Sequence, residues 1–74
     1  MTDEQRIFED QGFLILMSEK PLQVGSVIGA EGHGIGRVVV IGEATEAELA
    51  AQAKRLGMRA TPTVGHYYYK VAAE

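Results

Sequence analysis

The stretch RVVVIGEATEAELAAQAKRLG, residues 37–57, carries the strongest strand signal and the strongest helix signal of the chain. Its run of β-branched residues at 38–41 predicts a strand over 37–41. Thr45 and Glu48 have the spacing of a capping box, which begins helices, and Gly57 is the residue type that most often ends them. The sequence therefore predicts a strand at 37–41 followed by a helix at 46–56.

The predicted helix has an apolar and a polar side. Its apolar stripe recurs at helical spacing and consists of Leu49, Ala53 and Leu56. The opposite side, which is expected to face solvent, carries Glu48, Gln52 and Arg55. We therefore expect the helix to pack through the stripe on a sheet.

Outward from this stretch, three more strands and a weaker helix are predicted. The unbroken apolar run at 13–17 indicates a strand covered on both faces. Residues 22–28 form the second predicted strand, in which Gly25 indicates a bulge or bend. Residues 64–71 are rich in tyrosine and form the last one. A capping-box pattern at the start of 2–11 indicates a short helix or a frayed turn.

The predicted order is thus β-β-β-α-β, which places the chain in the α+β class. The first three strands are joined by short connections and are expected to be antiparallel neighbours. A bent second strand and the small size favour a strongly bent antiparallel sheet. It is expected to be either an SH3-like, partly closed barrel with the helix plugging one end, or an open sheet with the helix on one face.

Length and composition set further limits. With 74 residues and no cysteine, the chain is expected to be one domain, residues 1–74, with a small core and no disulfides. The net charge of −3 argues against a general attraction to nucleic acid or anionic lipid. The acidic first ten residues do not resemble a leader, and the longest apolar runs are far shorter than the roughly 20 residues of a membrane span. We therefore expect a cytoplasmic protein without membrane contact.

The sequence contains no convincing catalytic, cofactor or metal motif. The glycine-rich segment 29–36 leads into a strand rather than a helix, so it lacks the context of a phosphate-binding loop and is predicted to be a hairpin loop. His33 and His66 are not at a standard metal-ligand spacing from each other or from an acidic residue. We therefore expect no catalytic residues, no cofactor and no metal.

The run Tyr67-Tyr68-Tyr69 is the most unusual feature of the composition. Strand alternation places Tyr67, Tyr69 and Val71 on one face and His66, Tyr68 and Lys70 on the other. The first face is the more apolar, but alternation alone leaves open which of the two is buried. From residue 54 to residue 70 the chain carries four basic and no acidic side chains. The candidate partner-binding residues come from the more polar face of this strand and from the basic segment. They are Arg59, His66, Tyr68 and Lys70.

Two functions remain open on these observations. The favoured one is a non-enzymatic interaction domain that binds a protein partner or self-associates, because small cores gain from association and exposed aromatic residues are common in interfaces. The alternative is a nucleic-acid-binding small barrel, in which Tyr68 stacks on bases and the basic residues contact phosphates.

Overall fold

The computed structural model describes residues 2–58 and 65–74. It contains a four-stranded antiparallel sheet, curled into a half-barrel, and two α-helices. The predicted α+β class and the strongly bent sheet are confirmed. The elements in chain order are α1 (Asp3–Gln11), β1 (Leu14–Ser18), β2 (Val27–Ala30), a short 3-10 helix (Glu31–His33), β3 (Gly36–Glu43), α2 (Glu46–Leu56) and β4 (Tyr67–Ala73).

The strand order in the sheet is β1-β4-β3-β2. The expected antiparallel pairing of β2 with β3 is confirmed, but the expectation that β1 and β2 are neighbours is wrong. β4, the last strand, lies between β1 and β3 and pairs with both of them. Residues 19–26 connect β1 to β2, which are the two edge strands of the sheet. The pairing is decided by contacts between distant parts of the chain, which short connections do not reveal.

The second strand is shorter than predicted and begins later. Its predicted range was 22–28, whereas β2 covers Val27–Ala30. Leu22 donates its backbone N–H to the hydroxyl of Tyr69 (2.9 Å) instead of to a strand. Gly25 lies just before β2 with a φ of +94°, a conformation that L-residues with a side chain rarely adopt. The bend predicted at Gly25 therefore falls before the strand and not inside it.

The glycine-rich segment 29–36 is only partly a loop. Gly29 and Ala30 complete β2, Glu31–His33 form the 3-10 helix, and Gly36 begins β3. The predicted hairpin is confirmed, since β2 and β3 are antiparallel neighbours, but its connection is shorter than the sequence suggested. The predicted last strand began at 64, which lies outside the described residues, and β4 extends to Ala73.

Both helices begin where the capping boxes predict. Thr2 and Gln5 form reciprocal backbone–side-chain bonds at the start of α1, as do Thr45 and Glu48 at the start of α2. Gly57 has a φ of +71° and ends α2 at Leu56, so the predicted range 46–56 is confirmed. Residues 2–11 were predicted to form a short helix or a frayed turn, and they form the helix α1. Ile7 on this helix is buried against the sheet at 3% exposure, which holds the helix in place.

One face of the sheet forms the core together with α1. Strand alternation turns Val38 and Val40 of β3 and Tyr69 and Val71 of β4 towards this face, and all four are buried. The buried face of β4 is thus the more apolar one, with Tyr69 and Val71, a question that the sequence left open, whereas Tyr67 at the strand end is 41% exposed. The buried cluster consists of Ile7, Leu14, Ala30, Val38, Val40, Tyr69 and Val71.

Gln52 connects α2 to the edge of the sheet. It was predicted to face solvent, and that prediction is wrong: it is only 8% exposed. Its Oε1 accepts from the N–H of Ile15 (2.8 Å), and its Nε2 donates to the carbonyl of Ile15 (3.0 Å). The side-chain amide thus replaces the peptide group that another strand would offer. Gln52 therefore provides hydrogen-bond partners for the N–H and the carbonyl of Ile15, the buried outward-facing groups of the edge strand β1.

Replacing Gln52 with leucine tests this role. The variant Gln52→Leu leaves the N–H and the carbonyl of Ile15 buried without partners, and each such group costs about 1–3 kcal/mol. We expect the free energy of unfolding, measured by urea denaturation, to fall by about 2–4 kcal/mol. Amide hydrogen exchange at Ile15 should also accelerate.

The matched control is Gln23→Leu, which makes the same chemical change at an exposed position. Surface substitutions of this kind usually change stability by no more than about 0.5 kcal/mol. An equal loss of stability in the two variants would show that the two hydrogen bonds between Gln52 and Ile15 are unimportant.

Candidate functional site

The sheet has a second face, opposite the core, which we call the outer face. Directly paired residues of antiparallel strands lie on the same face. Val27 pairs with Val39 and Val39 with Ala72, while Met17 pairs with Tyr68 on the same side of β4. The outer face is therefore formed by Ile15, Met17, Val27, Val39, Ile41, Tyr68, Lys70 and Ala72.

Much of the outer face is apolar and open to solvent. Where Gln52 of α2 reaches β1, Ile15 is covered and only 5% exposed. Further across the sheet, Met17 is 57%, Ile41 45% and Val27 42% exposed. Ile41 follows the buried Val40, so strand alternation turns its side chain to the opposite side. Met17 and Val27 lie on the two edge strands, β1 and β2, so the three exposed apolar side chains are spread across the outer face.

Charged side chains at the border of the outer face are paired with each other. Arg37 Nε lies 3.4 Å from a carboxylate oxygen of Glu74, and Lys70 Nζ lies 3.1 Å from one of Glu48. The ammonium of Lys70 also lies 5.8 Å from the ring centre of Phe13, within cation–π range. These two pairs contribute no net charge to the border of the outer face.

The four predicted partner-binding residues do not lie together on one surface of the described structure. Arg59 lies outside the described residues. Tyr68 and Lys70 lie on the outer face as strand alternation predicted, but both are half-buried. His66 precedes β4 and is also half-buried: its Nε2 is 4.0 Å from Glu19, and its buried Nδ1 has no hydrogen-bond partner among the residues that the structure describes. The structure thus brings Tyr68 and Lys70 to one surface, and Lys70 is already engaged by Glu48.

A cavity of about 260 Å³ lies on the core side of the half-barrel, between the two edge strands. Its apolar lining includes Leu16 from β1, Ile28 from β2 and Val71 from β4. Its polar lining comes from Tyr69, His33 and Ser18, of which Ser18 is occupied by the backbone of Lys20. The complete lining is Leu16, Met17, Ser18, Leu22, Ile28, Gly29, His33, Tyr69 and Val71.

His33 is held in place from α1. Its Nδ1 lies 2.7 Å from a carboxylate oxygen of Glu4, and Gln5 Nε2 donates to the neighbouring carbonyl of Gly34 at 2.6 Å. An ionised carboxylate only accepts hydrogen bonds, so Nδ1 of His33 carries the proton. A ligand in the cavity would therefore meet the ring through Nε2.

The outer face and the cavity were both missed in the sequence. Val27, Val39 and Ala72 lie side by side on three neighbouring strands, and this is visible only when the register is known. Each strand by itself resembles a strand covered on both sides. The cavity depends on which strands form the two edges. The sequence signal that came nearest was the mixture of apolar residues on both faces of residues 37–41.

Within residues 2–58 and 65–74, no group of three histidine or acidic side chains is placed to hold a metal ion. Neither described helix has the length and apolar character needed to cross a membrane. Comparisons of the chain with protein-family models, with curated proteins and with solved structures found no match.

The pair of Glu48 and Lys70 gives a pH-dependent prediction. The backbone N–H of Thr45, and secondarily Lys70, lower the pKa of Glu48 below its ordinary value of about 4.5. A depressed carboxyl pKa stabilises the folded state above the unfolded-state pKa, and this contribution is lost as the pH falls through the folded-state pKa. The difference in melting temperature between the wild type and Glu48→Gln should therefore be largest near neutral pH and shrink below about pH 4.5.

The control is Glu46→Gln, which removes a carboxylate from the same turn of α2. Glu46 shares the favourable position near the helix N-terminus but lacks the bonds to Thr45 and Lys70. We expect a smaller and flatter difference across the pH range. The assignment fails if the profiles of the two variants coincide.

Proposed function

We propose that this chain is a non-enzymatic interaction module that self-associates, with the outer face of one copy packing on the outer face of a second copy. The observation that carries the proposal is the exposure of Met17, Val27 and Ile41 on one surface. Several large exposed apolar side chains on one face of a small domain are typical of an interface. Contact between two outer faces would bury those that lie where the curved surfaces meet.

Charge supports a second copy as the partner. Two copies with a net charge of −3 repel each other, but salt screens charges more than about 8 Å apart, so the main requirement is that the surfaces in contact carry no net charge. The outer face meets that requirement, because Arg37 is paired with Glu74 and Lys70 with Glu48. A two-fold arrangement also places the same apolar patch on both sides of the interface, as in most homodimers.

Size supports the same conclusion. A domain of this length buries a smaller share of its surface than larger domains do, and its core cluster consists of seven residues. Covering a second apolar face adds hydrophobic stabilisation at about 25 cal/mol for each Å² removed from water. Association would therefore stabilise the fold as well as create an assembly.

The nucleic-acid alternative has weaker support. It requires cations that are available to phosphates, and Lys70 is bonded to Glu48. Tyr68 is half-buried and lies among apolar neighbours on the outer face. An apolar, charge-balanced surface favours a protein surface over a polyanion.

The test is the variant Ile41→Lys, studied by sedimentation velocity from micromolar to millimolar protein. We expect the wild type to form a reversible dimer that persists at high salt, because its interface is apolar. Ile41→Lys should be monomeric, since it places an unpaired charge in the centre of the interface. Its circular dichroism spectrum should be unchanged, because Ile41 is exposed in the monomer.

The control is Met58→Lys, which introduces the same charge at a 66% exposed residue that follows α2 and lies off the sheet. It should dimerise like the wild type. A wild type that stays monomeric at millimolar concentration contradicts the proposal. Binding of single-stranded RNA that weakens with added salt would instead support the alternative function.

A further inference from the structure

We infer that the cavity between β1 and β2 binds a small, uncharged, hydroxylated molecule with an apolar body, of the size of a substituted phenol. This site lies on the core side of the sheet, and Met17 of the outer face borders it at the edge strand β1. Its volume of about 260 Å³ exceeds the roughly 150 Å³ of a cavity known to hold benzene. A single ring with one or two substituents therefore fits.

The apolar lining favours an apolar body. Leu16, Ile28 and Val71 line the cavity; Leu16 and Ile28 are half-buried and offer surface to a ligand, whereas Val71 has no exposed surface. An apolar ring placed against them replaces contacts with water by contacts with hydrocarbon, which is favourable in proportion to the area covered. A fully polar ligand would gain nothing from these three side chains.

Two polar groups select a hydroxyl. Tyr69 accepts the N–H of Leu22 through its phenolic oxygen, and its own O–H proton is a donor on the cavity wall. His33 carries its proton on Nδ1, which faces Glu4, so its Nε2 in the neutral ring is an acceptor. A ligand hydroxyl both donates and accepts, and therefore complements the pair of Tyr69 and His33.

Charge at the cavity wall disfavours anions. Glu4 lies against His33, and the carboxylate of Glu31 lies over Gly29, where an added Cβ would be 2.5 Å from its oxygen. Both His33 and Gly29 line the cavity. An anionic ligand would approach these two carboxylates, and a cationic ligand would lose its hydration against the apolar wall.

The inference is tested with four toluenes that differ only in the para substituent: p-cresol, p-xylene, 4-methylbenzoate and 4-methylbenzylamine. Each is titrated into the labelled protein and followed by amide chemical shifts. We expect saturable shifts for p-cresol at the amides of Leu16, Ile28 and Val71, with weaker binding of the other three. Absence of saturable shifts with p-cresol, or tighter binding of any other member, overturns the inference.

Two variants locate the site. Tyr69→Phe should weaken p-cresol binding about three- to tenfold, as expected for one hydrogen bond, and leave p-xylene binding unchanged. A loss of cavity shape would instead weaken both ligands, so the comparison separates binding from folding. Ile28→Phe fills the cavity and should abolish binding of both. Unchanged p-cresol affinity in Tyr69→Phe and in Ile28→Phe would place any binding elsewhere.

Discussion

Among the described residues, the curled sheet of four strands does not close into a barrel, and its two edge strands have no neighbouring strand on their outer side. Most features of the molecule follow from which groups contact these two edge strands. At β1, the side-chain amide of Gln52 bonds both backbone groups of Ile15 and so takes the place of a fifth strand. Between β1 and β2, the half-barrel stays open, and residues of both edges line the same cavity. The cavity is thus a consequence of the strand number.

The two faces of the sheet differ because the two helices lie in different places. α1 packs on the core face, where Ile7 joins the buried cluster. α2 lies beside the edge strand β1, where its Gln52 and Glu48 reach Ile15 and Lys70. Beside β1, α2 covers Ile15 but not the rest of the outer face, so Met17, Val27 and Ile41 remain exposed. The arrangement that stabilises β1 is therefore the same one that leaves most of the outer face uncovered.

Local features of the fold could be read from the sequence, and non-local ones could not. Thr45, Glu48 and Gly57 fixed the limits of α2 because capping involves residues within one turn of each other. The position of β4 between β1 and β3 depends on contacts across the whole chain, and no spacing rule reveals it. Gln52 was assigned to the polar side of α2, opposite the stripe formed by Leu49, Ala53 and Leu56. Its burial follows from an edge strand whose place was unknown.

The candidate site shows the same division. Alternation along β4 correctly separated Tyr69 and Val71 from Tyr68 and Lys70, because a period of two is a local property. The sequence could not show that Lys70 is paired, since its partner Glu48 is far away in the sequence and meets it only when α2 lies beside β1. The pair joins Lys70 of the outer face to α2. The Lys70–Glu48 pair carries no net charge and so adds nothing to the repulsion between two acidic copies at this surface. The same pair thus weakens the nucleic-acid hypothesis and favours self-association.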